Sequence, residues 1–377
     1  MRIAILTPFF FHKVSEIHGE DRIVWGGAER YQIELCRLIR SMGHEVTIIQ
    51  ALPQPPKGVQ PRVVHKEHDG VQITCIPLNS GSWTYGTSAE LNMVFNEHAG
   101  LADIRIYFTT FMAFPHVVHP AITISHGIWW DHPSSEYSQL PEEERREWYR
   151  RNLYGFTAPD VCVSVDSNVR RVIQAIRPGA EDRTTVIPNF VDTKAFTPKP
   201  KEFEGKVLYP RRLTILRGSN DFIKASRDYP QYQYLGCGQA ADAGIETQVK
   251  AWADTTPHVK FIWRPMDEMP QVYQDADIAV VPTKAAEGMS LSLLEAMATG
   301  LPVITTPVGG LMDPVIPGYN ALVYDPNHEN LGEYIHQMAK DADMRERFSR
   351  RNREIAVECF DISIWRKRWA DLLAAFA

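Results

Sequence analysis

The chain of 377 residues is long enough for two domains at roughly 150 residues each, and for two separate cores. Its 44% hydrophobic and 23% charged residues exclude a disordered chain. A formal net charge of −6 argues against duplex binding through overall basicity, and no stretch offers the ~18 consecutive apolar residues of a membrane span.

Met1–Phe11 is apolar but has no small-residue cleavage site and runs into charged residues, so it reads as a first strand rather than a secretion signal. Ile3–Thr7 is that strand. Ala28–Met42 sets Ile33, Leu35, Leu38 and Ile39 at helical spacing, Gly43 stops the helix, and Val46–Gln50 is the next strand. Such a βαβ unit implies parallel strands. Further strands are expected at Val71–Ile76, Arg105–Phe108, Ala121–Ser125 and Val161–Val165. The Pro- and charge-rich Thr197–Lys206 has the composition of a linker. A second series follows at Val207–Tyr209, Tyr232–Leu235, Val259–Ile262, Ile278–Val281 and Pro302–Thr305. The expected fold is therefore α/β, with two doubly wound domains, 1–196 and 207–360, joined by 197–206 and facing a ligand cleft. A closing helix, 361–377, is a candidate to pack back on the N-terminal domain. Five dispersed cysteines without a Cys-x-x-Cys suit a reducing cytoplasm and argue against a disulfide framework or a zinc site.

The densest chemistry lies in Glu287–Gly300, EGMSLSLLEAMATG. It follows an apolar strand, and Ser290–Thr299 reads as a helix that is apolar almost all round. The backbone N–H groups of Gly288, Met289 and Ser290 would then form a seat for an anion such as phosphate. Glu295 sits among Leu291, Leu293, Leu294, Ala296 and Met297, where a carboxylate needs donors, and a ribose diol offers two hydroxyls. Glu287 lies in the strand-to-helix loop, placed to hold a second polyol. The alternative for either glutamate is a structural partner, an arginine or a backbone N–H.

Two glutamates at this spacing, followed by EAMATGLPVITTPVGG, resemble the signature of the retaining glycosyltransferases of family 4, which have the GT-B architecture of two Rossmann-like domains. GGAER at Gly26–Arg30, SHG at Ser125–Gly127, VIPNFVDTKAF and RRLTILRG at Arg211–Gly218 resemble further family elements in the family's order. Arg217 stands where the family usually has Lys, and Phe190 where it has Gly. The resemblance implies transfer of a sugar from a nucleotide-diphosphate sugar to an acceptor hydroxyl with retention. Glu295 would hold the ribose hydroxyls, and Glu287 with the backbone of Gly288, Met289 and Ser290 the donor sugar and diphosphate. Arg212 and Arg217 would neutralise the leaving diphosphate, Gly26 and Gly27 would approach the same phosphate, and His126 would face the transferred sugar. No cofactor and no metal are expected. The partners implied are the nucleotide-sugar donor and a carbohydrate, glycolipid or small-molecule hydroxyl acceptor, with no nucleic acid. A nucleotide-sugar epimerase of similar architecture, or a nucleotide-sugar-binding protein that has lost catalysis, are the alternatives.

The loop after His126 contributes Trp129, Trp130, Asp131 and His132 as acceptor-side candidates, since aromatic faces and short polar groups suit sugars. Glu142–Tyr154 reads as a helix whose Arg145, Arg146, Arg150, Arg151, Trp148 and Tyr149 allow at most a peripheral membrane contact in an otherwise cytoplasmic protein. The Asp-x-Asp pairs at Asp275–Asp277 and Asp341–Asp343 are expected to cap or decorate elements rather than bind metal, and the pairs His65/His68 and His116/His119 show no third ligand.

Overall fold

Unbroken apolar runs such as Ile278–Val281 form parallel strands because a sheet covered by helices on both faces needs apolar residues at every position. The structure, a computed structural model, describes residues 1–23, 26–79, 85–128, 140–239, 243–285 and 287–377. Two units divide it. Unit 1 gathers Met1–His126, Leu140–Ile187 and Arg366–Ala377, and unit 2 is built on Pro188–Trp365.

Unit 1 contains β1 (Arg2–Thr7), a ribbon of β2 (Phe11–Lys13) and β3 (Arg22–Ile23), β4 (Glu45–Ala51), β5 (Val64–His68), β6 (Val71–Ile76), β7 (Ile104–Tyr107), β8 (Ala121–Ser125), β9 (Val161–Ser164) and β10 (Thr184–Val186). Its main sheet runs β10-β9-β8-β7-β1-β4-β6-β5, parallel except where β5 returns antiparallel along β6. The helix expected at Ala28–Met42 forms over Gly27–Ser41 and buries Ile33, Leu35, Leu38 and Ile39. The edge strand β5 (VHKEH) has only Val64 buried, so no apolar run announced it.

Unit 2 contains β11 (Lys206–Tyr209), β12 (Gln233–Cys237), β13 (Val259–Ile262), β14 (Ile278–Val281), β15 (Val303–Thr305) and β16 (Ala321–Val323). All pair in parallel in the order β13-β12-β11-β14-β15-β16. Counted from β11 this is the 3-2-1-4-5-6 order of a Rossmann sheet, so the expected doubly wound α/β fold is present. Alternation along β14 feeds two cores. Ile278 and Val280 enter the one that holds Phe222 and Tyr234, while Ala279 and Val281 enter the one that holds Leu293, Leu294 and Met297.

The boundary between units needs correction. Pro188–Phe196, assigned above to the first domain, belongs to unit 2, because Val191 exchanges backbone hydrogen bonds with Phe360 and Ile362 and Phe196 stacks edge-on with Tyr273. Nor does the expected linker hang free. The buried Asp277 accepts from the backbone N–H of Glu204 and Lys206 and pairs with Lys201 at 2.6 Å. Arg366–Ala377, the greater part of the closing helix Ile362–Ala374 with the residues after it, belongs to unit 1, where the Trp369 indole N–H donates to the Tyr31 hydroxyl at 2.8 Å.

Candidate active site

In a sheet of this order the ligand crevice lies where the order reverses, at the carboxyl ends of β11 and β14. The loops leaving those strands carry the residues singled out by sequence. Tyr209, the last residue of β11, donates its hydroxyl to the carbonyls of Arg212 (2.9 Å) and Arg217 (3.1 Å), stapling the basic loop from beneath. Thr214 accepts from the Arg217 N–H at 3.1 Å, and the Lys284 N–H reaches across from the loop after β14 to the Leu216 carbonyl at 2.8 Å. The two loops meet at Gly218, whose φ of 78° is left-handed and whose Cβ, if it had one, would lie 1.9 Å from the Pro282 carbonyl oxygen. Gly218→Ala is therefore expected to cost about 2–4 kcal/mol through strain and overpacking. That would lower the melting temperature by several degrees; an unchanged melting temperature would contradict this packing.

Glu287 is buried, and its carboxylate is the hub of a charged cluster. Arg211 donates through Nη2 to Oε2 at 2.7 Å, Arg217 donates through Nη1 to the same oxygen, and the Thr283 hydroxyl reaches it at 3.3 Å. The Arg211 Nη1 donates in turn to Thr283. Among the described residues every hydrogen bond to this carboxylate lands on Oε2, so Oε1 could accept from a ligand. Burial pushes the Glu287 carboxyl upward, but the charges of Arg211 and Arg217 outweigh it and hold the carboxyl below its usual range. Burial also lowers the pKa of Arg217; Glu287 opposes this and the like charge of Arg211 adds to it. Two guanidinium groups against one carboxylate leave the cluster net positive, which suits an anionic ligand.

The helix expected at Ser290–Thr299 runs from Leu291 to Ala298, with Ser290 as its extended N-cap. Leu293–Ala298 are all buried, so its start is fixed by packing, and its first-turn N–H groups have no partner within the helix. Met289 is a core side chain, so it can offer a ligand only its backbone. Asn189 donates through Nδ2 to the Met289 carbonyl at 2.5 Å, fixing the peptide that leads into the helix. Glu295, buried one turn further on, accepts from the Tyr273 hydroxyl at 2.7 Å. Burial first, and the Glu295 charge second, raise the Tyr273 pKa well above that of a free phenol, so the hydroxyl keeps the proton it donates.

Within unit 1, Gly26 is the N-cap of the helix Gly27–Ser41, and its N–H donates to Glu29 Oε2 at 3.1 Å. His126 follows β8 and is partly buried, with Tyr31 edge-on at 5.3 Å and Phe108 tilted at 4.8 Å. Its Nε2 lies 3.1 Å from the Phe108 carbonyl, which can only accept, so the proton sits on Nε2 and Nδ1 carries the lone pair. Burial lowers its pKa to about 4, and the ring is neutral at physiological pH.

The sequence pointed to Arg212 and Arg217 as the basic pair. Arg217 does face Glu287, while Arg212 is exposed and the buried partner is Arg211. Tyr209, Tyr273 and Asn189 were missed. A buried Glu295 that requires a donor was the only hint of Tyr273. Trp129, Trp130, Asp131 and His132 lie outside the described residues. Asp277 serves backbone amides and Asp341 caps the helix Ala342–Cys359. His65 and His68 are three apart on a strand, hence on opposite faces. His119 pairs with Asp160 at 2.8 Å. In the helix Glu142–Thr157, Trp148 packs edge-on against Phe111, Arg150 pairs with Glu147, and Arg151 is buried against Ser88, so much of the basic and aromatic surface is engaged internally. Among the described residues no helix is long and apolar enough to cross a membrane.

Comparison with known proteins supplies the context. The family described as Glycosyltransferase Family 4 matches residues 25–195, and the one described as Glycosyl transferases group 1 matches residues 191–355. A D-inositol 3-phosphate glycosyltransferase of Corynebacterium urealyticum is 31% identical over 147 residues, which are 36% of this chain and 34% of that protein. The chain thus spans about a third of the length of that curated relative. Among solved structures, sucrose-phosphate synthase from Thermosynechococcus elongatus superposes with a TM-score of 0.81 at 18% identity, over 99% of this chain and 98% of the other. Anabaena HepE in complex with UDP-glucose superposes with a TM-score of 0.75 at 16% identity, over the whole of both chains. These likenesses give the GT-B fold. The two family matches overlap at 191–195 and together run from 25 to 355, and the chain belongs to the family 4 and group 1 glycosyltransferases.

Proposed function

We propose that the protein transfers a glycosyl group from a nucleoside-diphosphate sugar to an acceptor hydroxyl, with retention and without a metal. The observation that carries the reading is the net-positive Arg211–Glu287–Arg217 cluster beside the start of the helix Leu291–Ala298, with Glu295 further along the same helix. Arg217 and the helix-start N–H groups would take the diphosphate, Arg212 would add its exposed charge, and Glu295 would hold the ribose. Glu287 Oε1 would accept from the donor sugar's hydroxyls. His126, with its lone pair on Nδ1, would accept a hydroxyl of the transferred sugar. In the reaction the C1–O bond to the diphosphate breaks and the electron pair leaves with the phosphate. The acceptor oxygen bonds C1 on the same face, and its proton passes to the departing phosphate oxygen. Electrostatic stabilisation of that leaving charge does most of the work.

UDP is the first base to try, because HepE was captured with UDP-glucose, and inositol phosphate is a first acceptor, because a relative is named for it. A cytoplasmic protein with at most peripheral membrane contact remains part of the proposal. The test is a thermal-shift panel of UDP, GDP, dTDP and ADP with and without magnesium, followed by turnover of the matching donor sugars. Ligand at 100 times its dissociation constant adds about 2.7 kcal/mol to the state that binds it. A shift with one base and no need for magnesium, then a product with the donor's anomeric configuration by NMR, is the expected result. Donor conversion without acceptor would make the protein an epimerase, and no shift with any base would make the site reading wrong. Glu295→Ala is expected to weaken the nucleotide about 50-fold or more, the scale of two charge-assisted hydrogen bonds. Glu295→Gln, which retains an acceptor for Tyr273, controls for folding.

A further inference from the structure

Arg217 has two anions to serve. It holds Glu287 Oε2, and a bound diphosphate would draw it away. Removing the sole partner of a buried carboxylate leaves an uncompensated charge, so a donor would have to overcome that cost in order to bind. Glu287, however, has a second arginine on the same oxygen. The Arg211 side chain is 8% exposed against 31% for Arg217, and its other nitrogen is held by Thr283. Its backbone is fixed as well, since Gly238 lies so close that a Cβ there would come within 2.1 Å of the Arg211 carbonyl oxygen. One arginine of the pair is locked in place, and the other reaches the surface.

We infer that Arg211 is a positioning residue, the permanent counter-ion that keeps Glu287 compensated and aimed while Arg217 passes from Glu287 to the donor's diphosphate. The inference rests on the donor-site reading above and extends it. Arg211 does not touch the donor. It acts through Glu287, by removing the penalty for releasing Arg217. Without Arg211 the carboxylate would grip Arg217 alone and compete with the diphosphate for it.

The experiment is a double-mutant cycle on UDP affinity by calorimetry, with GDP or ADP in its place if the panel selects one. Arg211→Met is expected to weaken UDP about tenfold, a single charge-assisted interaction's worth. Adding Glu287→Gln to Arg211→Met removes the competing carboxylate and should restore affinity to that of Glu287→Gln alone. A variant that had merely lost its structure would not recover in this way, and Arg211→Lys, which keeps the charge, should fall between the parent and Arg211→Met. Unchanged affinity in Arg211→Met would overturn the inference. So would an equal loss with and without Glu287→Gln, which would mean that Arg211 attracts the diphosphate directly. Arg217→Met separates the two levels of argument, because parental affinity in that variant would undo the donor-site reading itself and this inference with it.

Discussion

A Glu287→Gln enzyme is expected to bind nucleoside diphosphate at least as tightly as the parent and to turn over its donor about 100- to 1,000-fold more slowly. The two halves of this result have separate causes. Glutamine is nearly isosteric but uncharged, so it loosens its hold on Arg217 and on Arg211, both of which bond Oε2 in the parent. The cluster becomes more positive, and a free diphosphate gains from that. The sugar does not. On the proposed reading Oε1 accepts from its hydroxyls, and an amide that rotates to satisfy two arginines would no longer fix the ring over the leaving phosphate. Misplacement on the scale of 1 Å costs about 100-fold in rate, and loss of an aimed electrostatic contact costs up to about 1,000-fold. Single-turnover rates beside calorimetric affinities would check this. A parallel fall in both, or an unchanged rate, would mean that Glu287 is only a structural partner of the arginines.

The second large effect concerns pH. The unfolded chain protonates His126 near pH 6.5, whereas burial between Phe108 and Tyr31 holds the folded pKa at about 4. Between those values the unfolded state binds the extra proton, so stability falls as the pH falls. The contribution is complete above about pH 6.5 and is lost progressively down to about pH 4. In full it would be about 3 kcal/mol, and the ring's partial exposure reduces that to about 2 kcal/mol. Denaturant unfolding of the parent and of His126→Gln between pH 4.5 and 7.5 should give curves that converge toward acid pH. Curves that stay parallel would show that this imidazole does not resist protonation. The same neutrality predicts that no ionisation of His126 shapes the rate profile near pH 6–7.

Much of the fold was legible from apolar runs, although the short buried strand Ala321–Val323 escaped because three residues are too few to announce one. Ile278–Val281 and Val71–Ile76 were found to the residue, and Ile3–Thr7 to within one residue at its start. The edge strand Val64–His68 escaped, because one-sided contact leaves its sequence polar. Of the candidate site, Glu295 stood out in the sequence because a carboxylate inside an apolar helix demands a reason, and Glu287 through its spacing from it in the family-like motif. The arginines were legible only as a group, since neighbouring residues in a loop face opposite ways and composition cannot say which turns inward. It was Arg211 that did, with Arg212 exposed. Tyr209 and Tyr273 were hidden for a related reason: as aromatic residues in core positions they looked like filling, and only the folded arrangement shows where their hydroxyls go.

Trp369 has a consequence for how the molecule is made. Its indole closes on Tyr31, in the helix Gly27–Ser41 of unit 1, although the two are separated by nearly the whole chain. A ribosome delivers the strands β1–β10 first, yet the segment that completes their unit, Arg366–Ala377, comes only after all of Pro188–Trp365. The half that is synthesised first is the half that finishes last. The strands of unit 2, by contrast, all lie within Pro188–Trp365 and are complete before Trp369 is made.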